Sequence, residues 1–445
     1  MSKIPVVPPS GFRDFTPEET AVRQHLMQTI AEVYQTFGFQ QISLSALENL
    51  STLQGKGGGS DNEKLIFKVL KRGEELERAI EGKNELADLG LRFELTLSLA
   101  RYYSRFQGQL PKPFKVFQMG PVWRADRPQK GRFREFVQCD LDVLGSKEIG
   151  AEVEVLSAIL KVFDRIGLTG LELQINDRRL LLAFGKKIGL SEVAWRDALI
   201  TLDKLDKIGP DKVLEELKSK DIQEPQLSDI KTLLRAENSA TPLEGWEYYD
   251  QESVEDLKNL ISTLDGTAKS TKIRFKPTLV RGQEYYTGTI FEVRHPDLSG
   301  SLAGGGRYNK LLEIFGGQET PAFGGSIGFE RLAMILADQM QEQSTATAPH
   351  VFLPLFSEAM RPHVVAVARH LRALGARVDV YPDAAKLKNQ FKYADDRKIP
   401  FTAVLGDAEL ANNELKWKNM ATREEISVSL REPSFEQHVK KALDL

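Results

Sequence analysis

Apolar residues near the start of the chain fall at Leu26, Ile30, Val33 and Phe37, the spacing of one helical face. Thr16-Pro17-Glu18-Glu19 precedes this stripe with a capping residue, a proline at the first helical position and a glutamate that closes a capping box. Gly38 ends the helix. Ile42 to Leu47 and Leu65 to Leu70 then read as strands, divided by the glycine-rich loop Gly55 to Gly59, and Lys71 to Glu85 is a solvated charged excursion. Strand-like stretches at Phe114 to Met119 and Gln138 to Val143 bracket a basic loop, Arg124 to Arg134. Helical spacing returns over Ile149 to Ile166. From about 185 to 270 helical patterns dominate, as in Val213 to Leu217 and Val254 to Leu264, with dense mixed charge, and this segment reads as a helical insertion. Strands follow at Thr278 to Val280, Tyr286 to Val293 and Phe323 to Ile327, and helices at Asn309 to Phe315 and Glu330 to Met340. After a linker at Gln343 to Pro349, Val351 to Leu355, Val378 to Tyr381 and Phe401 to Gly406 alternate with a helix around Pro362 to Leu374. That order predicts a small α/β domain with a mostly parallel sheet.

Length and composition narrow the classes. A chain of 445 residues has room for two to four domains. Hydrophobic residues at 41% and charged ones at 28% exclude a disordered or collagen-like chain. Lys and Arg total 60 against 63 Asp and Glu, a net charge of −3, which excludes a globally basic nucleic-acid binder but leaves room for a local basic site. One cysteine, Cys139, excludes an intrachain disulfide and an all-cysteine metal site; it reads as a buried small hydrophobe. With scattered histidines no bound metal is expected. The N-terminus lacks signal- or transit-peptide character and no apolar run is long enough to cross a bilayer, so a reducing, cytoplasmic setting is expected.

Phosphate-loop signatures are absent. Gly324-Gly325-Ser326-Ile327-Gly328 matches a nucleophile elbow in letters. The histidines that follow, His350, His363 and His370, lie beyond the linker, so the expectation is close strand-to-helix packing. The basic loop is more informative. From Arg124 to Glu135 there are five basic residues against two acidic ones, set between two strands. Guanidinium groups at a strand end can hold a phosphate bidentately, and the neighbouring cations suit a polyanion; a solvated basic hairpin is the plain alternative.

Longer blocks favour the first reading. Phe117 to Phe136 is followed by Gln138-Cys139-Asp140-Leu141-Asp142. Farther on come Val280-Arg281-Gly282-Gln283-Glu284-Tyr285-Tyr286, Ala303-Gly304-Gly305-Gly306-Arg307-Tyr308 and Gly328-Phe329-Glu330-Arg331. Together these resemble the histidyl-tRNA synthetases. The Arg124 block is similar to class II motif 2, Gly328-x-Glu330-Arg331 to motif 3, and Arg281 with Tyr285-Tyr286 to the histidine-specific block. Gly11-Phe12-Arg13-Asp14, Leu91 to Thr96, and Phe391 to Asp395 with Ile399-Pro400-Phe401 add to the resemblance, which covers nearly the whole chain in order.

The resemblance implies an α+β fold with an antiparallel catalytic sheet and flanking helices. It implies a catalytic domain in two parts, 1–184 and 271–342, around a helical insertion at 185–270. A linker at 343–349 and an anticodon-binding domain at 350–445 would follow. The implied reaction joins histidine to ATP as histidyl-adenylate and passes histidine to the 3′ end of tRNA(His), in a homodimer, with magnesium arriving on the ATP. By analogy Arg124 binds the α-phosphate, Arg281 acts on it from the other side, and Arg331, with Arg132, holds the distal phosphates. Glu94, Thr96 and Gln138 match the positions for the α-amino group; Asp142 and Tyr286, with Tyr285 beside it, match those for the imidazole. Arg127, Lys130 and Arg134 in the loop, and Lys388, Lys392 and Trp417 near the C-terminus, are candidates for tRNA contact.

Several positions depart from the family pattern. Ser45 and Ser98 stand where prolines are customary, Glu94 and Glu284 where some relatives carry Asp, Gln283 for a Leu, and Asn309 for an Asp. None removes a charge-bearing catalytic position. A silent paralogue regulating ATP phosphoribosyltransferase would lack the C-terminal domain and erode the arginines, a tRNA-sensing module would not need Arg124, Arg281 and Arg331, and a sister synthetase would lack the doubled tyrosine.

Overall fold

The computed structural model describes residues 4–55, 61–128, 132–236, 243–267, 271–281, 286–298, 300–315, 317–340, 349–431 and 433–444. The chain divides into two compact units, Met1–Phe15 with Arg23–Ile335 and Thr16–Val22 with Leu336–Leu445.

An eight-stranded sheet carries the first unit. Its strands are β1 (Gln40–Gln41), β2 (Phe114–Trp123), β3 (Glu135–Leu144), β4 (Leu171–Asp177), β5 (Thr271–Phe275), β6 (Thr289–Arg294), β7 (Ala303–Arg307) and β8 (Ala322–Ile327). Their spatial order is β1-β2-β3-β8-β7-β6-β4-β5. The two edge pairings, β1 with β2 and β4 with β5, are parallel, and the inner pairings are antiparallel. Side chains alternate across a strand, so β3 has two characters. Cys139, Leu141 and Val143 are buried in the hydrophobic core. Gln138, Asp140 and Asp142 face the other way, with Gly324 and Ser326 of β8 directly opposite Asp142 and Asp140.

Helix Gly150–Arg165 lies against the apolar face. A Cβ on Gly325 would stand 2.5 Å from the Phe291 ring and 3.2 Å from Ile159 Cδ1 of that helix, so Gly325 of β8 serves close packing there. Ser326 sits within the ladder, opposite Gly304 as well as Asp140, and not at a strand-to-helix turn. Arg307 at the end of β7 donates to Glu152 of the helix, Nε to Oε1 at 2.6 Å, inside the protein.

The helix Pro17–Thr36 opens with the expected reciprocal cap: Thr16 N donates to Glu19 Oε2 at 2.8 Å, and Glu19 N to Thr16 Oγ1 at 3.3 Å. Leu26, Ile30, Val33 and Tyr34 are its buried stripe. A small antiparallel sheet joins Leu47–Asn49, Ala87–Leu91 and Phe67–Leu70, and the charged stretch beyond it contains a mostly exposed helix, Glu74–Glu81. Residues 42–46, expected as strand, connect β1 to Leu47–Asn49 without pairing as a strand.

The strand expected at Thr278 to Val280 lies earlier, at Thr271–Phe275. Pro277 cannot donate to a ladder. The segment after it is instead fixed by buried Asn176, whose Nδ2 donates to the Pro277 and Leu279 carbonyls, each at 3.1 Å. Between β4 and β5 the chain is helical: Arg178–Lys187, Glu192–Leu202, Leu205–Ile208, Pro210–Ser219, Gln226–Ala236 and Gln251–Leu264. The boundary expected at 184 falls inside the first of these. Trp195, Leu199, Leu217 and Ile230 share one hydrophobic core with Phe114, Leu144 and Tyr286 of the sheet side, so insertion and sheet are packed within one unit.

In the second unit a five-stranded sheet runs in the order Val378–Val380, Val351–Leu353, Phe401–Val404, Glu414–Asn419, Glu425–Ser429. The first two pairings are parallel, as expected, and the last two antiparallel, so the sheet is mixed rather than mostly parallel. Exposed Lys416 flanks buried Leu415 and Trp417 in the strand that was missed, and its charge masks the alternation. Among the described residues no helix is long and apolar enough to cross a membrane.

Candidate active site

Above the polar face of β3, β8 and β7 lies a cavity of ≈ 70 Å³. It is lined by Glu94, Thr96, Arg124, Gln138, Asp142, Arg281 and Tyr286, all expected from the sequence, and also by Asp140, Tyr308 and Ser326. The small residues of the floor make the space. A Cβ on Gly324 would meet Asp142 Oδ1 at 1.8 Å, and one on Gly304 would meet Arg281 Nη1 at 2.5 Å. Glycine at these two positions lets a carboxylate and a guanidinium lie flat against the sheet.

One end of the cavity is acidic. Glu94 is 5% exposed and caps the helix Thr96–Phe106, accepting from Leu97 N at 2.6 Å and Thr96 N at 3.2 Å. Asp142, 3% exposed, accepts a short hydrogen bond from the Tyr308 hydroxyl at Oδ1. Asp140 stands between them on the same face. Burial pushes all three carboxyls above the usual carboxylate range; Glu94 raises Asp140 further, to about 7, and both raise Asp142. Gln138 Oε1, Asp140 Oδ1 and Asp142 Oδ2 are buried acceptors without a hydrogen-bond partner. Such an array suits a ligand rich in N–H donors.

Two arginines line the same cavity. Arg124, from the end of β2, donates Nε to the Phe93 carbonyl at 3.0 Å and lies 4.9 Å from the Phe136 ring centre, which fixes its guanidinium against the cavity. Arg281 bonds Glu292 of β6, Nη1 to Oε1 at 2.5 Å. Burial raises the Tyr286 phenol, and Arg281 beside it pulls the other way. Arg331 lies outside this cavity, bonded to the Ser301 carbonyl. Its charge is disfavoured by burial, supported by Glu292, and opposed by Arg132 and Arg294. Arg124 and Arg281 line the cavity, and Arg331, within electrostatic reach of Arg132, does not.

Other expected residues lie elsewhere. Arg127 is exposed, whereas Arg134 is tied back through Nε to the Asp126 carbonyl at 3.1 Å. Lys130, Tyr285, Gln283, Glu284 and the loop Lys56 to Gly59 fall outside the described residues. Lys388 and Lys392 are exposed one turn apart on the helix Leu387–Asp396. Trp417 is 3% exposed, packed on Phe401 at 5.5 Å between ring centres, so its indole is core and offers no face for base stacking. Cys139 is fully buried, and burial pushes its thiol well up. Glu330 does not enter the cavity. It accepts from Arg13 at 2.5 Å, from Arg23 at 2.7 and 2.8 Å, and from Val137 N at 3.1 Å, locking the N-terminal segment and the helix Phe329–Met340 to β3.

The departures have local accounts. Ser45 Oγ donates to the Leu47 carbonyl at 2.7 Å and closes a turn where a proline would have set it. Asn309 Oδ1 accepts from Ala322 N at 3.3 Å. Ser98 is fully buried inside the helix Thr96–Phe106, and nothing in the structure explains its choice. Sequence reasoning missed Asp140, Tyr308 and Ser326 as cavity residues. The signal for Asp140 was present, since residues two apart on a strand share a face with Gln138 and Asp142. For Tyr308 and Ser326 it required knowing which strands pair.

The chain is similar to known proteins over nearly its whole length. Residues 11–332 match the family described as histidyl-tRNA synthetase, and residues 350–434 match the anticodon binding domain. A histidine–tRNA ligase of Christiangramia forsetii is 37% identical over 442 residues, covering 94% of this chain and 96% of the relative. One of Leifsonia xyli is 39% identical, covering 86% of this chain and 91% of the relative. The crystal structure of a histidyl-tRNA synthetase from Nostoc superposes with a TM-score of 0.81 at 27% identity, over 99% of this chain and 100% of that one. A Bacillus halodurans protein described as an ATP phosphoribosyltransferase regulatory subunit/histidyl-tRNA synthetase superposes at 0.71 and 21% identity, over 88% of this chain and 97% of that one, which is a likeness of fold.

Proposed function

This chain belongs to the histidyl-tRNA synthetase family, and from that premise we propose how its residues carry out histidine–tRNA ligation. The histidine carboxylate attacks the ATP α-phosphate, pyrophosphate leaves, and a ribose hydroxyl at the 3′ end of tRNA(His) then takes the histidyl group with release of AMP. The observation that carries this reading is one cavity lined both by unpartnered acceptors and by two arginines.

Glu94, Thr96 and Gln138 hold the α-amino group. Asp142, oriented by Tyr308, accepts from the imidazole, and Tyr286 completes that end. A pocket that leaves such acceptors unpaired with the wrong side chain rejects it by about 10^4-fold. Arg124 and Arg281 flank the α-phosphate, where negative charge develops, and their prior fixation avoids reorganisation during the step. Arg281 exchanges Glu292 for phosphate when ATP enters. Arg331 and Arg132, two like charges that disfavour one another, gain an anionic partner in the distal phosphates. Magnesium arrives bound to ATP as part of the substrate.

Arg127, Lys130 and Arg134 meet the acceptor end of the tRNA, and Lys388 and Lys392 the anticodon side. The active form is a homodimer in the cytoplasm. Histidine-dependent ATP–pyrophosphate exchange by the purified protein tests the reading, with other amino acids as controls, followed by charging of tRNA(His). Exchange with no amino acid would overturn the activity; exchange with a different one would overturn the substrate.

A further inference from the structure

Asp140 is the cavity residue that the family resemblance leaves without a role. It lies midway between Gln138 and Asp142 on β3, opposite Gln118 of β2 and Ser326 of β8. The residue is 4% exposed, lines the cavity, and keeps Oδ1 without a hydrogen-bond partner. A buried carboxylate oxygen left without a donor is costly, and a cavity wall is where a ligand can supply one.

Its surroundings specify that donor. Glu94 and Asp142 add two more carboxyls, while the nearest cations are committed to main-chain carbonyls: Arg124 to Phe93, and Arg92 to Pro121 at 3.0 Å and Leu44 at 2.9 Å. Tyr34, from the helix Pro17–Thr36, Cys139 and Tyr286 also act with Asp140, all three raised by burial, and Arg281 lines the same cavity. The site therefore offers a small cation unfilled acceptor positions and a carboxyl that can ionise as the cation binds. Arg124 acts on both Glu94 and Asp140, and Gln138 lies two residues from Asp140 on the same face of β3, so Asp140 adjoins the residues assigned to the α-amino group.

We propose that Asp140 is a further substrate-binding residue of the amino-acid subsite: its Oδ1 accepts from the α-ammonium group that Glu94 also holds, and Asp140 gives up its own proton to solvent when that cation enters. The inference rests on the function proposed above. The balance is one carboxyl proton released per ammonium bound. With the carboxyl raised to about 7, the free site is substantially protonated at neutral pH. Affinity for the ammonium then increases as pH rises through that region. Ser326, whose hydroxyl bonds Asp140 and favours its ionised form, sets where the increase falls.

The test uses the full chain, wild type, Asp140→Asn and Ser326→Ala. Histidine KM is followed in ATP–pyrophosphate exchange between about pH 6 and about pH 8.5, around the titration of such groups. The inhibition constant of 3-(imidazol-4-yl)propionate, which lacks the ammonium, is measured alongside. The imidazole of the ligands titrates in the same range, so each variant is compared with wild type at the same pH. Asp140→Asn is expected to raise histidine KM about tenfold or more at pH 8, the loss of one charge-assisted hydrogen bond. It should leave the propionate within about twofold, because the missing partner is the ammonium. Ser326→Ala is expected to move the pH inflection of histidine KM upward. Equal weakening of both ligands by Asp140→Asn would assign it a structural role and overturn the proposal. If that variant does not fold, an unmoved inflection in Ser326→Ala overturns it equally. No exchange by the wild type would instead be a failure of the proposed function itself.

Discussion

Asp142 shows how much one side chain is asked to do in the proposed reaction. Its Oδ1 is held by Tyr308 and its Oδ2 is left for the substrate. Asp142→Ala is expected to raise histidine KM by about tenfold or more and to erode discrimination against other amino acids, read in exchange assays. Arg281 differs, because its contact strengthens only as phosphate charge develops. Arg281→Ala should lower exchange kcat by about 100-fold or more with a smaller change in histidine KM. Asp140 carries a cost in the free protein. Its folded carboxyl holds a proton up to about 7, whereas the unfolded chain releases it at the ordinary carboxylate value. The unfolded chain therefore binds fewer protons between those values, and this residue's contribution to stability is lost as pH rises through them. Asp140→Asn should accordingly melt higher than wild type at pH 8, with a smaller difference at pH 5, in thermal scans without substrate.

Elements place these side chains through a few buried polar ties. β3 and β8 bring Asp140, Asp142 and Ser326 together because register sets them directly opposite one another. Arg281 comes from irregular chain, and its approach is fixed by Asn176 through the Pro277 and Leu279 carbonyls. Asn176→Ala leaves two buried carbonyls without those donors. The expected result is a loss of about 1–3 kcal/mol in denaturant unfolding, together with a fall in exchange kcat as Arg281 loses its anchor. Wild-type stability in that variant would remove Asn176 from this role. Arg307 and Glu152 make the equivalent tie at the other end of β7, joining the sheet to the helix behind it.

Across the whole molecule the two units divide the proposed work: the cavity and its arginines lie in the first, and exposed Lys388 and Lys392 in the second. Lys388→Ala with Lys392→Ala is expected to leave pyrophosphate exchange at the wild-type rate. The pair should weaken tRNA binding and reduce the slope of log affinity against log salt by about 1 per lysine that touches phosphate. Much of this organisation was legible beforehand. The capping box at Thr16, the stripe of Leu26, Ile30 and Val33, and the cavity residues from Glu94 to Tyr286 follow from local spacing or from contiguous blocks, and both are properties of neighbouring residues; Phe37, expected in that stripe, lies past the helix end, and Tyr34 takes its place. Trp417, Thr278 to Val280 and the mixed second sheet were not legible. Whether an indole is surface or core, or a segment pairs or loops, depends on what distant chain covers it. The sequence by itself thus determined the chemistry: which acids, arginines and tyrosines are present, and in which blocks. Only the tertiary structure decided that Asp140, Tyr308 and Ser326 join them, that Glu330 is an anchor for Arg13 and Arg23, and that three buried carboxyls share one pocket. Strand register and burial are set by contacts between residues far apart in the chain, and those contacts supply both the geometry and the raised proton affinity of the site.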